Sequence, residues 1–259
     1  MFWGACLLAF GLHLIDPACP PEEKAYLEAF PIEQYKVYEV DGVGRFYLDE
    51  APDTIKDVLK QNIRWEKWAC DLLLKYTKPG TIAVDLGAHI GTQTLLLARA
   101  VGPEGRVFAF EPQWKMFREL VWNLTLNDCN NVTVLRCAVG DANRTVQLDP
   151  PIPENEGART IGKGSETAPM RTLDSFGLEN VSMIKIDVEN YEERVLNGAR
   201  ETILRNKPVM HVEILGHKQK LKQMGINDIY KTRIIIQQIK ALGYSVQEVA
   251  GDYLALPLN

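Results

Sequence analysis

The stretch Val84-Asp85-Leu86-Gly87-Ala88-His89-Ile90-Gly91 constrains the fold of this chain more than any other. It joins a short, apolar, β-rich run, Thr81-Ile82-Ala83-Val84, to residues 92–100, which have the length and leucine content of a helix packed on a sheet. The backbone between them must turn sharply. Gly87 and Gly91 lack a Cβ, so the loop reaches positive φ angles and lets a ligand lie against its backbone. The helix then begins with its free N–H groups facing that ligand. This order predicts a ligand-binding corner in an open α/β sheet.

The spacing separates two kinds of ligand. A dinucleotide fingerprint needs G-x-G-x-x-G after the strand, so that pyrophosphate sits on the helix N-terminus. Here the pattern is Asp85-x-Gly87-x-x-x-Gly91. An acid at the strand end repels a diphosphate and suits a ligand that carries an ammonium group or needs a hydrogen-bond acceptor. S-adenosylmethionine is such a ligand. A second strand, residues 106–110, ends in Glu111-Pro112, about two dozen residues beyond Gly87, where a carboxylate accepts both ribose hydroxyls. Singly, these residues have plainer readings: Asp85 caps the following turn and Glu111 is a solvated strand end. In strand, loop, helix, strand, acid order they predict a cofactor site built from Asp85, Gly87, Ala88, His89, Gly91 and Glu111.

A chain of 259 residues, 46% hydrophobic and 24% charged, fits one ordinary domain with a sizeable core plus an N-terminal extension. Its net charge of −5 supplies no overall positive field for phosphates, so nucleic acid is not an expected partner. The five cysteines (Cys6, Cys19, Cys70, Cys129, Cys137) are odd in number and form no C-x-x-C pair. Neither a disulfide framework nor a zinc site is indicated, and reduced buried thiols in a cytoplasmic protein are expected. Residues 2–15 are apolar but begin without Lys or Arg and are too short to span a bilayer. An amphipathic or buried N-terminal helix is the first reading of them, and a shallow membrane contact the second.

Residues 36–40 and 43–48 alternate apolar and polar on either side of Asp41-Gly42, which predicts a hairpin. Residues 54–76 read as one helix, stopped by Lys78-Pro79-Gly80. Trp65, Glu66 and Trp68 within it either pack over the sheet edge or cover the cofactor, the first being the commoner fate of aromatic residues at helical spacing. Residues 113–127 carry Met116, Leu120 and Leu124 on one face, so the crossover to a third strand at 132–141 is βαβ. Ala138 and Val139, at that strand's end, either line the adenine pocket or simply end the strand. Residues 150–169 hold four prolines and no period and are expected as a loop whose length suggests function or mobility. Arg159, Lys163 and Arg171 either place an acidic or polyhydroxylated acceptor there or are solvated.

The second informative corner is Ser182-Met183-Ile184-Lys185-Ile186-Asp187-Val188-Glu189-Asn190, an apolar strand ending in two carboxylates, followed by a helix with Val195, Leu196, Ala199 and Ile203 on one face. Facing a cleft, the carboxylates would repel each other and raise a pKa toward the range of a general base. Lys185 shares a strand face with Asp187 and offsets its charge. For Glu189 and Glu192 the plainer reading is stabilisation of a helix N-terminus.

With both corners in view, the chain resembles the FkbM family of S-adenosylmethionine-dependent methyltransferases. VDLGAHIGTQTL matches the family's glycine motif, with His89 where Asn is common, and MIKIDVENYEERVLNGA is close to its K-I-D-V-E-G-x-E pattern, with Asn190 in place of glycine. FAFEPQ, VMHVEIL and GDYLALP extend the similarity over residues 65–257. The resemblance implies a class I methyltransferase fold: α/β and Rossmann-like, with a mostly parallel seven-stranded sheet. It also implies methyl transfer to a hydroxyl, often on a sugar or natural-product scaffold. The expected division is an N-terminal extension over residues 1–64, with hairpin and helix, and the methyltransferase domain over 65–259.

The chemistry also follows from the residues. Methyl transfer from a sulfonium is an in-line displacement in which positioning dominates. A hydroxyl acceptor benefits from a nearby base, with Asp187 the first choice and Glu189 and Glu213 the alternates. His211 would share a strand face with Glu213 and is expected as a core histidine. No dedicated His–carboxylate cluster is present, so no metal is assigned. Two other classes share parts of this pattern. A nicotinamide-dependent oxidoreductase would need closer glycine spacing, and a non-catalytic binding protein would have lost the acids. No Asn/Asp-Pro-Pro-Tyr/Phe turn marks an amino-group methyltransferase. A small-molecule or carbohydrate acceptor is the expected partner.

Overall fold

The chain is described by a computed structural model covering residues 12–16, 19–214 and 229–258. Of the apolar 2–15 segment only residues 12–15 are described, and the rest, where an N-terminal helix is expected, lies outside the described residues. Ile15 bridges Val134 in parallel, which covers the last edge of the main sheet. Helix α1 (Pro21–Glu28) follows, and then the hairpin of β1 (Lys36–Val40) and β2 (Gly44–Leu48), paired antiparallel about Asp41-Gly42 as its alternation predicts. Phe30, Tyr35 and Tyr47 fasten this segment to Trp122, with Phe30 stacked on Trp122 at 4.9 Å between centroids.

The expected single helix over 54–76 is two: α2 (Thr54–Leu59), capped by Asp53, and α3 (Lys67–Tyr76). Asn62 and Glu66 take left-handed φ values of 57° and 43° between them, which a continuous helix cannot accommodate. The chain then alternates: β3 (Ile82–Leu86), α4 (Thr92–Val101), β4 (Arg106–Phe110), α5 (Trp114–Leu126), β5 (Val132–Leu135). The expected strand over 132–141 is broken at Arg136-Cys137. Its second piece, β6 (Ala138–Val139), leaves the main sheet and pairs with β8 (Glu166–Arg171), whose other neighbour is β7 (Arg144–Leu148). The 150–169 loop is therefore shorter than expected, since its last four residues belong to β8.

The second half holds β9 (Val181–Ile186), α6 (Glu192–Gly198), α7 (Arg200–Asn206), β10 (Val209–Val212), α8 (Ile229–Ala241), β11 (Tyr244–Val249) and β12 (Asp252–Pro257). The main sheet has seven strands in the order β11-β12-β10-β9-β3-β4-β5. All its pairs are parallel except those of β12, which runs antiparallel to both neighbours. Strands such as β3 and β9 are continuous apolar runs because both faces are covered. One face packs α3, α4 and α5 together with Leu14, Phe46, Leu48 and Leu59 of the N-terminal segment. The other packs α6, α7 and α8 through Val195, Ile203, Ile235 and Ile239. Strand order reverses at the β3–β9 pair, so a ligand crevice opens at their carboxyl ends. No helix among the described residues is long and apolar enough to cross a membrane. Cys19, Cys70, Cys129 and Cys137 are free and buried.

Candidate active site

The two informative corners meet at the carboxyl edge of the sheet. Asp187 N–H donates to the Leu86 carbonyl at 3.0 Å, and Gly87 and Ala88 donate to the Phe110 carbonyl at 3.0 Å each, so the ends of β3, β4 and β9 are held level. Glu213 N–H donates to the Ile186 carbonyl and brings the end of β10 alongside. Gly87 has φ of 82°, and a Cβ on it would overlap the Asp187 carbonyl oxygen. Gly91, with φ of 95°, precedes the first turn of α4.

A cavity of about 410 Å³ opens here, walled by Gly87, His89, Glu111, Asp187, Glu189 and Glu213 from the strand ends. Trp65 and Glu66 line it before α3, and Thr54, Ile55 and part of the 150–165 segment close its outer side. A smaller cavity continues past Glu111 to Pro112, Gln113, Ala138 and Val139. Gly87, His89, Glu111, Ala138, Val139, Asp187, Glu189 and Glu213 thus share one cleft. Asp85, Ala88 and Gly91 lie behind it as its support. Trp65 both packs on the core and faces the cavity, while Trp68 sits edge-on to His211. His211 is buried, 3.3 Å from Asp252.

The electrostatics follow from burial. Asp85 is fully buried, accepts from Thr94 Oγ1 at 2.6 Å and pairs with Lys185 Nζ at 3.1 Å. The same ammonium donates to the Gly87 carbonyl at 2.7 Å and lies 3.5 Å from Asp187. Burial opposes the Lys185 charge, but Asp85 and Asp187 outweigh it and raise its pKa above the usual lysine value. Glu111 accepts from the backbone N–H of His89 at 2.9 Å and of Gln113 at 3.0 Å, and burial pushes its pKa to about 7. His89 sits under Gly157, its ring nitrogens shielded from solvent and without a hydrogen-bond partner among the described residues. Burial lowers its pKa to about 4, so the ring is neutral.

The cleft fits an adenosyl ligand. Glu111 stands at the end of β4, where ribose hydroxyls are recognised in doubly wound sheets. Beside it are an unpartnered neutral imidazole and a backbone kept bare by Gly87. The two departures from the motifs also find their reason. His89 and Asn190 have φ of 51° and 73°, a left-handed region open to glycine and, among other residues, best tolerated by Asn, Asp and His. Arg159 is engaged with Glu166 and lines the smaller cavity, and Arg171 lies over the Phe176 ring at 4.1 Å. Lys163 donates its backbone N–H to Asp149. Sequence reasoning missed Asn155, Gly157 and Ala158 as wall residues; the length of their loop was the available signal.

This strand order is that of the class I, Rossmann-like methyltransferase fold. The chain belongs to the methyltransferase FkbM domain family, which matches residues 85–246. It is 29% identical over 184 residues to methyltransferase sdnD of Sordaria araneosa, covering 54% of this chain and 70% of that one. It is 26% identical over 145 residues to methyltransferase 1 of Beauveria bassiana, covering 44% of this chain and 57% of that one. Among solved structures it is similar to methyltransferase FkbM from Methylobacillus flagellatus, with a TM-score of 0.46 and 18% identity over 78% of this chain and 53% of that one.

Proposed function

We propose that the protein moves the methyl group of S-adenosylmethionine to a hydroxyl of a small-molecule or carbohydrate acceptor, using Asp187 as base or orienting carboxylate. The observation that carries this reading is the single cleft in which Glu111, His89, Asp187, Glu189 and Glu213 face one another across the β3–β9 switch. When bound, S-adenosylmethionine supplies an electrophilic methyl on a sulfonium. Glu111 accepts the ribose hydroxyls and Gly87 leaves its backbone open to the ligand. Ala138 and Val139 border the adenine side. Asp187 would orient the acceptor hydroxyl and take its proton during the transfer. Lys185, 3.5 Å away, holds the Asp187 carboxylate at the cleft.

The wall charges favour an acceptor without phosphates. Glu66, Glu111, Asp187, Glu189 and Glu213 line the larger cavity, and among the described residues no Lys or Arg does. This supports a neutral acceptor and disfavours a nucleic acid. The test is calorimetry followed by transfer. Micromolar binding of S-adenosylhomocysteine and not NAD is expected, with alkali-stable incorporation of labelled methyl into a hydroxylated acceptor. Binding of NAD with none of the adenosyl ligand would overturn the reading.

A further inference from the structure

Lys56 is buried at 0% exposure, yet it lies outside the cleft and plays no part in the chemistry above. Its ammonium meets three carboxylates from three separate segments: Asp49 after β2 at 2.8 Å, Glu119 on α5 at 2.9 Å and Glu156 at 3.2 Å. An ammonium has three N–H donors, and each has a partner here. Lys115 adds bonds to Asp49 at 2.7 Å and to Glu156 at 2.6 Å. Burial opposes the Lys56 charge, and Glu119 and Asp49 outweigh it, raising its pKa. A buried cluster of this kind is a poor source of stability, since well-packed apolar residues serve as well, but it fixes geometry.

What it fixes is the segment around Glu156. Ile152, Asn155, Gly157, Ala158 and Thr160 from that segment line the cavity. Its backbone is tied to α2: Thr54 N–H and Oγ1 donate to the Glu154 carbonyl at 3.1 Å, and Glu156 N–H donates to Asp53 Oδ2 at 3.0 Å. The other oxygen of Asp53 caps α2 through Ile55 and Lys56 N–H, so one carboxylate joins the helix start to the segment. Gln113 Nε2 donates to the Gly157 carbonyl at 2.8 Å and seats Gly157 on the His89 ring.

We propose that Lys56 is a positioning residue that acts through Glu156, holding residues 152–160 as the outer wall of the cofactor cleft and so retaining the bound cofactor. This rests on the reading of the cleft as the S-adenosylmethionine site. The N-terminal segment, through Asp49, Asp53 and Lys56, is then a working part of that site.

The test uses Glu156→Gln in the full chain, since Glu156 is partly exposed and its loss leaves Lys56 with two carboxylates. Release of S-adenosylhomocysteine, followed by stopped-flow fluorescence with Trp65 as reporter, should quicken roughly tenfold or more, as the loss of a charge-assisted hydrogen bond implies. The melting temperature should stay close to that of the parent. Hydrogen exchange of the 154–158 amides should quicken in both Glu156→Gln and Lys56→Met, while the amides of β3 and β9 keep their protection in Glu156→Gln. Unchanged exchange at 154–158 in either variant, or unchanged release in Glu156→Gln, would overturn the inference, since Lys115 would then hold Glu156 without Lys56 or the wall would not retain the ligand. If the parent protein binds no S-adenosylhomocysteine, the functional reading fails instead, and exchange at 154–158 alone decides whether the wall is held as described.

Discussion

Gly87 and Asp187 pack backbone against backbone, so closely that the glycine has no room for a side chain. The Gly87 loop and the end of β9 are therefore one unit, joined again by Lys185, which bonds the Gly87 carbonyl and pairs with Asp187. Gly87→Ala must both adopt a φ of 82° and push Asp187 away. The backbone strain alone costs about 1–2 kcal/mol. Chemical denaturation should show at least that loss, and S-adenosylhomocysteine binding should fall with it.

Asp187→Asn keeps size and removes charge. If Asp187 is the base, the variant holds S-adenosylmethionine nearly as well as the parent while turnover falls by roughly 10²–10⁴-fold. If it orients the ligand's ammonium, affinity falls with rate, and single-turnover kinetics beside calorimetry separate the two. Full activity at saturating substrates would exclude both roles and direct attention to Glu189 and Glu213.

Glu111 gives two pH dependences of opposite sign. Burial holds its pKa at about 7, above its ordinary 4.5. The folded protein therefore binds this proton more tightly than the unfolded chain does. The contribution of Glu111 to the stability of the unliganded protein falls as pH rises from 4.5 to about 7, by roughly 3 kcal/mol, while the buried His89 ring, with its pKa lowered to about 4, contributes an opposing rise between about 4 and 6.5. Ligand affinity rises over the upper part of that range, because ribose hydroxyls donate to the ionised carboxylate, and levels off above it. Urea midpoints compared between the parent and Glu111→Gln across pH should differ by the Glu111 slope, with the rise due to His89 left in the variant, and calorimetry should show the pH dependence of affinity in the parent only.

Lys185→Met leaves Asp85 at 0% exposure with no compensating charge. Removing one partner of a buried pair costs about 3–5 kcal/mol. The double variant Asp85→Asn with Lys185→Met should recover part of that loss in a denaturation series, which a purely steric role for Lys185 would not allow.

The parts of the site governed by local pattern were legible in the sequence. Apolar runs ending in Asp85, Glu111 and Asp187 marked strand ends, and Gly87 marked a turn that needs positive φ. The hairpin around Asp41-Gly42 and the α5 face of Met116, Leu120 and Leu124 were equally plain. Tertiary partners decided the rest. Nothing near Asp85 in the sequence says that it faces Lys185 behind the cleft rather than the ligand in front of it. The break before Lys67 depends on Glu66 taking a left-handed φ beside Gln93, and periodicity in 54–76 cannot report it. Nothing in the sequence around Lys56 marks it as buried, because its partners Asp49, Glu119 and Glu156 lie on three separate segments.

The central pairing of β3 with β9 bears on how the chain reaches its native state. β3 finds β4 within one short crossover, but its other edge stays bare until β9 arrives from far along the sequence. Forming so distant a pair carries a large loop-closure entropy and is a slow step. During synthesis the first half exposes an apolar strand edge suited to wrong partners, the usual start of aggregation. The cleft needs that pairing, so ligand binding selects molecules in which β3 and β9 have met, and a cofactor present during refolding should raise the yield by drawing the equilibrium toward them.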